Sequence, residues 1–245
     1  MTEPKAHPKN FSGPMIPPLL RDDKTNTRRI IAKANSTTTG KWDGLWFDGA
    51  RIDPGPAITG YPGPFLKVPH PEDDTAHRVF PRIQPGDLIW VKERHLRWRH
   101  KPSIGGGLSE EEDNIIYADD PEWEHLLAER AHFKRYNADR ANPAGNWEMI
   151  PSLYMPRWAS RITLLVESVR PERVQEISWA DAIAEGVEYT GEREPGFGCW
   201  RGHSGLPWRN TPQEAFQDLW ESLHGPGAWE RNDWVWAYQF SRVKP

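Results

Sequence analysis

Residues 234 to 240 put Trp234, Trp236, Tyr238 and Phe240 on one side of the chain by strict alternation, the period of a strand. A row of four large aromatic side chains needs a core to cover it, so the fold must contain a sheet packed on at least one face. Other segments supply partners. Pro85-Gly86-Asp87 is a turn launching the short apolar strand Leu88 to Val91. Residues 161 to 169 form a further strand, with Ile162, Leu164, Val166 and Ser168 on one face and Thr163, Leu165 and Glu167 on the other. Ile115 to Tyr117 reads as another.

Helices are marked by their caps. Ser178 and Asp181 make a short capping box, Ile177 and Ala182 are placed for a hydrophobic staple, and Gly186 stops the helix. Thr211, Pro212 and Glu214 open a longer one, with Phe216, Leu219, Trp220 and Leu223 at helical spacing and Gly225 at its end. Asp120 and Pro121 look like the N-cap and first residue of a helix reaching Leu127. Between residues 12 and 23 the pair Pro17-Pro18 allows only a short or late helix. Residues 32 to 84 are rich in Gly, Pro and Thr and read as a long, partly ordered insertion. Short strands with non-local pairing and a few helices make an α+β fold around a small β-barrel, in one domain of 245 residues with no internal repeat.

Composition narrows the chemistry. A formal net charge of -4 gives no global attraction to nucleic acid, so such binding needs a local patch. The single cysteine, Cys199, excludes an internal disulfide framework. Cys199 and His203 are two potential ligands where structural zinc takes four, so neither a metal nor another cofactor is expected. The N-terminus lacks the apolar core of a signal peptide and no run approaches membrane-spanning length, which leads to the expectation of a soluble, intracellular protein. The 14 tryptophans are expected mostly in the core.

Lys24-Thr25-Asn26-Thr27-Arg28-Arg29 places two hydroxyls and three cations within six residues, enough for an anion or a polar heterocycle, and Arg28 and Arg29 are expected to bind nucleic acid. The motif is followed in order by residues 84 to 93, by 178 to 186 and by the strand ending at Phe240. This ordered set resembles an ASCH domain of the PUA-like group, in its larger, phage-associated form, with residues 32 to 84, 95 to 150 and 188 to 210 as insertions. The resemblance implies recognition of nucleic acid or of a modified pyrimidine base, in the cytoplasm of a bacterial or phage-infected cell. Small members similar here are amidohydrolases of N4-acylated cytidine nucleosides; by their motif K-T-x-T-x-R, Lys24 and Thr27 match catalytic positions, Arg29 the Arg position, and Glu185 the carboxylate just before the helix stop.

The residues themselves allow this chemistry. Thr27 can act as nucleophile if a neutral amine takes its proton, and Lys24 can be that amine if burial and the cations Arg28 and Arg29 lower its affinity for a proton. Glu185 sits at the negative end of its helix macrodipole, which works against a carboxylate charge and suits proton exchange. A second surface is Lys92 to Lys101, where Lys92, Arg94, Arg97 and Arg99 surround Trp98; cations interleaved with a stacking plane suit a single strand or a flipped base. Residues 155 to 161, with Arg157 and Trp158, form a third basic-aromatic stretch. The competing readings are the amidohydrolase, a nuclease using the same cations, and a phage accessory protein that binds another protein through its aromatic surface.

Overall fold

The computed structural model describes residues 3–31, 49–54, 63–69, 76–98, 115–128, 147–194, 197–202 and 208–244. The aromatic C-terminal segment is strand β14 (Trp234–Val243), and it lies inside a five-stranded sheet with β1 (Ala6–Asn10), β2 (Asn26–Ile30), β6 (Leu88–Lys92) and β10 (Thr163–Arg173). The order is β1-β6-β10-β14-β2. β1 runs parallel to β6, and the remaining neighbours are antiparallel. The three strands expected to share a sheet therefore do. Alternation alone implied one buried face for β14, but Val235 and Ala237 are buried as fully as the aromatic residues. A strand flanked on both sides and covered on both faces loses the polar half of its pattern.

β10 departs from the expected alternation at one point. Its pairing with β14 shifts between Val166 and Ser168, and the burial phase changes there, so Leu164 and Val166 are followed by Val169 and Pro171 as buried positions. This is a β-bulge, which bends the strand and increases its twist.

Among the described residues no sheet closes into a barrel. The five-stranded sheet instead curls until its two edges are joined by a side chain: Arg29 on β2 donates from Nη2 to the carbonyl of Asn10 on β1 at 2.8 Å and lies over the Phe11 ring. The α+β class holds, while the closed barrel is replaced by an open sheet with a bridged seam.

Three smaller antiparallel sheets correct the reading of the insertions. β3 (Arg51–Asp53), β4 (Phe65–Pro69) and β5 (Ala76–Val79) form one, and Phe65, Leu66 and Val68 join the main core, so residues 32 to 84 are in part a structural layer. β7 (His95–Trp98) pairs with β8 (Ile115–Tyr117) and β9 (Trp147–Ile150) over a small core of Leu96, Ile116 and Trp123. β11 (Tyr189–Glu194), β12 (Phe197–Arg201) and β13 (Trp208–Arg209) form the last.

Helix α1 (Ile16–Leu20) is short, as the proline pair requires. The described part of α2 is residues 123–128, two residues later than expected, because Asp120 and Pro121 belong to a turn closed by the Trp123 amide on the Asp120 carbonyl. α3 (Trp179–Ala184) is capped by Ser178, whose hydroxyl accepts from the Asp181 amide. α4 (Pro212–His224) is capped by Thr211 and buries Phe216, Leu219 and Trp220 against the main core. Its Glu214 carboxylate reaches the amide of Asn210, one residue before the expected capping-box partner.

Candidate functional site

The site forms where the turn after α1 meets the end of α3. The amides of Asp23 and Lys24 both donate to the Pro18 carbonyl. The Thr25 amide donates to the Ala184 carbonyl at 2.8 Å, and the Thr25 carbonyl accepts from Phe240 on β14 at 2.8 Å. Residue 25 is thus clamped between a helix end and the central sheet. Gly186 completes the junction: its φ is +89°, and a Cβ there would meet both Lys24 Cβ and Pro18 Cβ at 3.1 Å. Only glycine combines that backbone with that approach.

The clamp delivers Lys24 to Glu185. The Lys24 ammonium donates to a Glu185 carboxylate oxygen at 2.7 Å and to the Glu185 carbonyl at 2.6 Å. Both side chains are almost wholly withdrawn from solvent, at 2% and 4% exposed. Arg28 binds the other Glu185 oxygen at 3.0 Å, Glu172 at 2.6 Å and Asp181 at 3.1 Å. Arg170 also pairs with Glu172 and Asp181, and Asn26 donates to Asp181 at 2.8 Å. Burial holds Lys24 below the ordinary lysine range; Glu185 opposes the shift, and Arg29 and Arg28 add to it. The expectation for Glu185 rested on its helix end alone. In the fold both its carboxylate oxygens are bound by cations, one by Lys24 and the other by Arg28.

A cavity of about 360 Å³ opens beside this pair. Its polar wall includes Lys24, Thr27, Arg28, Arg29 and Glu185, and its other wall is Phe11 with Phe216, Trp220, Leu223 and His224. The volume lies in the range of small-molecule sites. Thr27 is 6% exposed, and no hydrogen bond joins its hydroxyl to Lys24 or Glu185. Three buried polar atoms of the lining lack a partner: Ser12 Oγ, Arg29 Nε and Trp220 Nε1. Unsatisfied buried donors are costly and are expected where a ligand completes them. His224 at the end of α4 is held below the ordinary histidine range by burial and by Arg29 and Arg231.

The four residues matched to the site by motif, Lys24, Thr27, Arg29 and Glu185, therefore converge on one cavity. Arg28, expected at a nucleic-acid surface, is instead 4% exposed, with its guanidinium engaged by three carboxylates. Glu172 and Arg170 carried no signal by motif, and Asp181 was read only as a capping residue, whereas its carboxylate is bound by Asn26, Arg28 and Arg170. The α4 wall was visible only as an apolar stripe, with His224 at its end as the one hint.

The segment from Lys92 is not the basic loop it resembles. It is the end of β6 and the whole of β7, and Glu93, His95 and Leu96 point into the protein. Arg94 lies over Trp123, Arg97 over Trp158, and Lys92 and Arg157 over Trp90, with ring distances of 5.4–5.8 Å. Lys92 also donates to the Leu153 carbonyl. Trp158 and Tyr154 stand exposed beside them, at 58% and 71%. Arg99 and the Trp98 side chain lie outside the described residues, as does His203. A second cavity, lined by Glu93 and Arg94, shares Phe11, Ser12 and Ser152 with the first.

Among the described residues no three His, Cys, Asp or Glu side chains gather as metal ligands, and no helix is long and apolar enough to cross a membrane. Comparison of the chain with known protein families, with curated proteins and with solved structures gave no match.

Proposed function

We propose that this is an ASCH protein of the PUA-like group that recognises nucleic acid through a modified pyrimidine base, taken into the cavity beside Lys24, Thr27 and Glu185. The observation that carries the reading is the buried Lys24–Glu185 pair at the wall of that cavity. Burying two opposite charges costs more in desolvation than it commonly returns in stability, so such a pair beside a cavity is better explained by recognition or chemistry. An ammonium and a hydroxyl supply donors for a base carbonyl or acyl oxygen, and Phe216 and Trp220 supply an apolar wall for a flat ring. The adjoining cavity leads to Arg94, and Arg157 and Trp158 extend the cationic and aromatic surface a strand would follow. Binding of cytidine, N4-acetylcytidine and uridine to the full chain tests the base; salt-dependent binding of single-stranded RNA and DNA tests the strand, since phosphate contacts weaken steeply with salt.

A second reading, hydrolysis of an N4-acyl group, is favoured by the lowered proton affinity of Lys24. In it the Thr27 oxygen adds to the acyl carbonyl as its proton passes to the neutral Lys24 amine. The carbon–nitrogen bond then breaks, Lys24 returns the proton to the leaving N4, and water cleaves the Thr27 ester to release the carboxylic acid. Release of acetate from N4-acetylcytidine separates a reader from a hydrolase.

A further inference from the structure

We infer that the ligand of this cavity carries a phosphate, received by Arg29, so that the site discriminates nucleotides from nucleosides. The inference rests on the reading of the cavity as a pyrimidine site and adds the anionic half of its ligand.

The argument begins with the distribution of charge. In the cavity wall and in the ion-pair network behind it stand four basic side chains, Lys24, Arg28, Arg29 and Arg170, against three carboxylates, Glu172, Asp181 and Glu185. Every carboxylate is bound by at least one of Lys24, Arg28 and Arg170. Arg29 is the cation left over. Among the described residues its guanidinium meets no carboxylate; it donates once, to the neutral carbonyl of Asn10, and its Nε is withdrawn from solvent with no partner. A guanidinium in protein stays protonated, so this charge cannot be relieved by losing a proton. The Phe11 ring beneath it and the more distant Glu185 favour the charge, and a directly bound anion would complete it.

The surroundings favour one. Lys9, on the facing edge strand, is held below the ordinary lysine range by burial, then by Arg29 and Arg82, and His224 is likewise depressed by burial and by Arg29. Burial is the larger cause of each shift, and Arg29 is the next cause of both. Ser12 adds a buried hydroxyl without a partner on the same lining. A guanidinium edge and a hydroxyl together suit the several oxygens of a phosphate. Strand geometry separates this corner from the base end: Asn26 and Arg28 both reach Asp181, so alternation turns Thr27 and Arg29 the other way, two residues apart along β2. That spacing, roughly 6.5 Å, is of the order that separates a pyrimidine from its own phosphate.

The phosphate can belong to a free nucleotide or to a nucleic-acid chain, and the test distinguishes them. Cytidine, cytidine 5′-monophosphate, a short single-stranded oligocytidylate and inorganic phosphate are titrated into the full-length protein, its Arg29→Gln variant and its Arg29→Lys variant, with thermal unfolding to confirm that each is folded. The monophosphate is expected to bind about tenfold to a hundredfold tighter than cytidine. Arg29→Gln should collapse that ratio toward one, and Arg29→Lys, which keeps the charge but loses the fork, should retain part of it. Oligocytidylate binding much tighter than the monophosphate identifies a chain as the source; equal affinity identifies the free nucleotide. Cytidine binding as tightly as its monophosphate overturns the inference and leaves the pyrimidine site standing. Phosphate binding that depends on Arg29 without any cytidine binding supports the inference and shows that the site does not take an unmodified base. Binding of none of the four overturns the inference, and the modified-base reading is then judged separately on N4-acetylcytidine.

Discussion

Lys24 and Glu185 are 161 positions apart in the chain and 2.7 Å apart in the fold, joined where the turn after α1 docks on the end of α3. Removing one partner of a buried pair strands the other, at about 3–5 kcal/mol. Lys24→Met and Glu185→Gln should therefore each lower stability toward that range in urea unfolding at neutral pH, with Glu185→Gln the milder because an amide oxygen can still accept. The double variant should lose clearly less than the sum, because neither stranded charge remains at this contact. Strict additivity would mean that the two side chains do not pair in solution.

Gly186 holds that contact together through a backbone with φ of +89° and through space that a Cβ would fill. Gly186→Ala should cost about 1–3 kcal/mol, from strain and from pushing on Lys24 and Pro18. Because the displaced residue is Lys24, ligand affinity should fall along with stability. Alanine at Gly13, where nothing lies within 4 Å and φ is not positive, is the matched control and should leave both unchanged.

Asp87, in the turn before β6, accepts from the amides of Lys5 and Gln84 and pairs with His7 on β1. Partial burial works against its charge, but the Gln84 and Lys5 amides and the His7 ring outweigh it, and its carboxyl lies below the ordinary aspartate range. The unfolded chain then binds a proton at higher pH than the folded one does, so this contribution is present above about pH 4 and fades as pH falls through the lowered folded value. Asp87→Asn should cost about 1–2 kcal/mol at neutral pH. The gap between variant and parent should shrink in acid; a gap independent of pH would remove the charge from the account.

Trp158 and Arg157 stand exposed beside Arg97, on the surface assigned to a strand. Trp158→Ala should weaken single-strand binding by about 1–3 kcal/mol if the ring stacks on a base. Arg157→Glu should weaken it for all sequences and flatten its salt dependence. Arg28→Gln should behave differently, lowering stability because three carboxylates each lose one of their two cations. An unchanged salt slope in Arg157→Glu would return this patch to ordinary surface.

The elements that were legible in the sequence carry their own local signal. Ser178 and Thr211 cap their helices as their side chains dictate, and β14 announces itself by its aromatic period. The bringing together of Lys24 and Glu185 was anticipated from the order of motifs. The missed elements depend on partners far away in the chain. β1 carries Pro8 and little apolar character, which only a protected place at a sheet edge beside β6 makes workable. Phe65, Leu66 and Val68 sit in a stretch whose Gly and Pro suggested loop, and their burial comes from the main core. Arg28 looked like Arg29 in sequence; the difference between a buried support and an unpaired cation is made by Asp181, Glu172 and Glu185, all from later segments.

The most direct test of the account is calorimetric titration of N4-acetylcytidine into the full-length protein and into Thr27→Phe, chosen to fill the cavity without touching the Lys24–Glu185 pair, with thermal unfolding of both alongside. The account predicts saturable binding at one site per chain to the parent and its loss in a Thr27→Phe variant that still unfolds cooperatively. No binding to the parent, or undiminished binding to the filled variant, would contradict it.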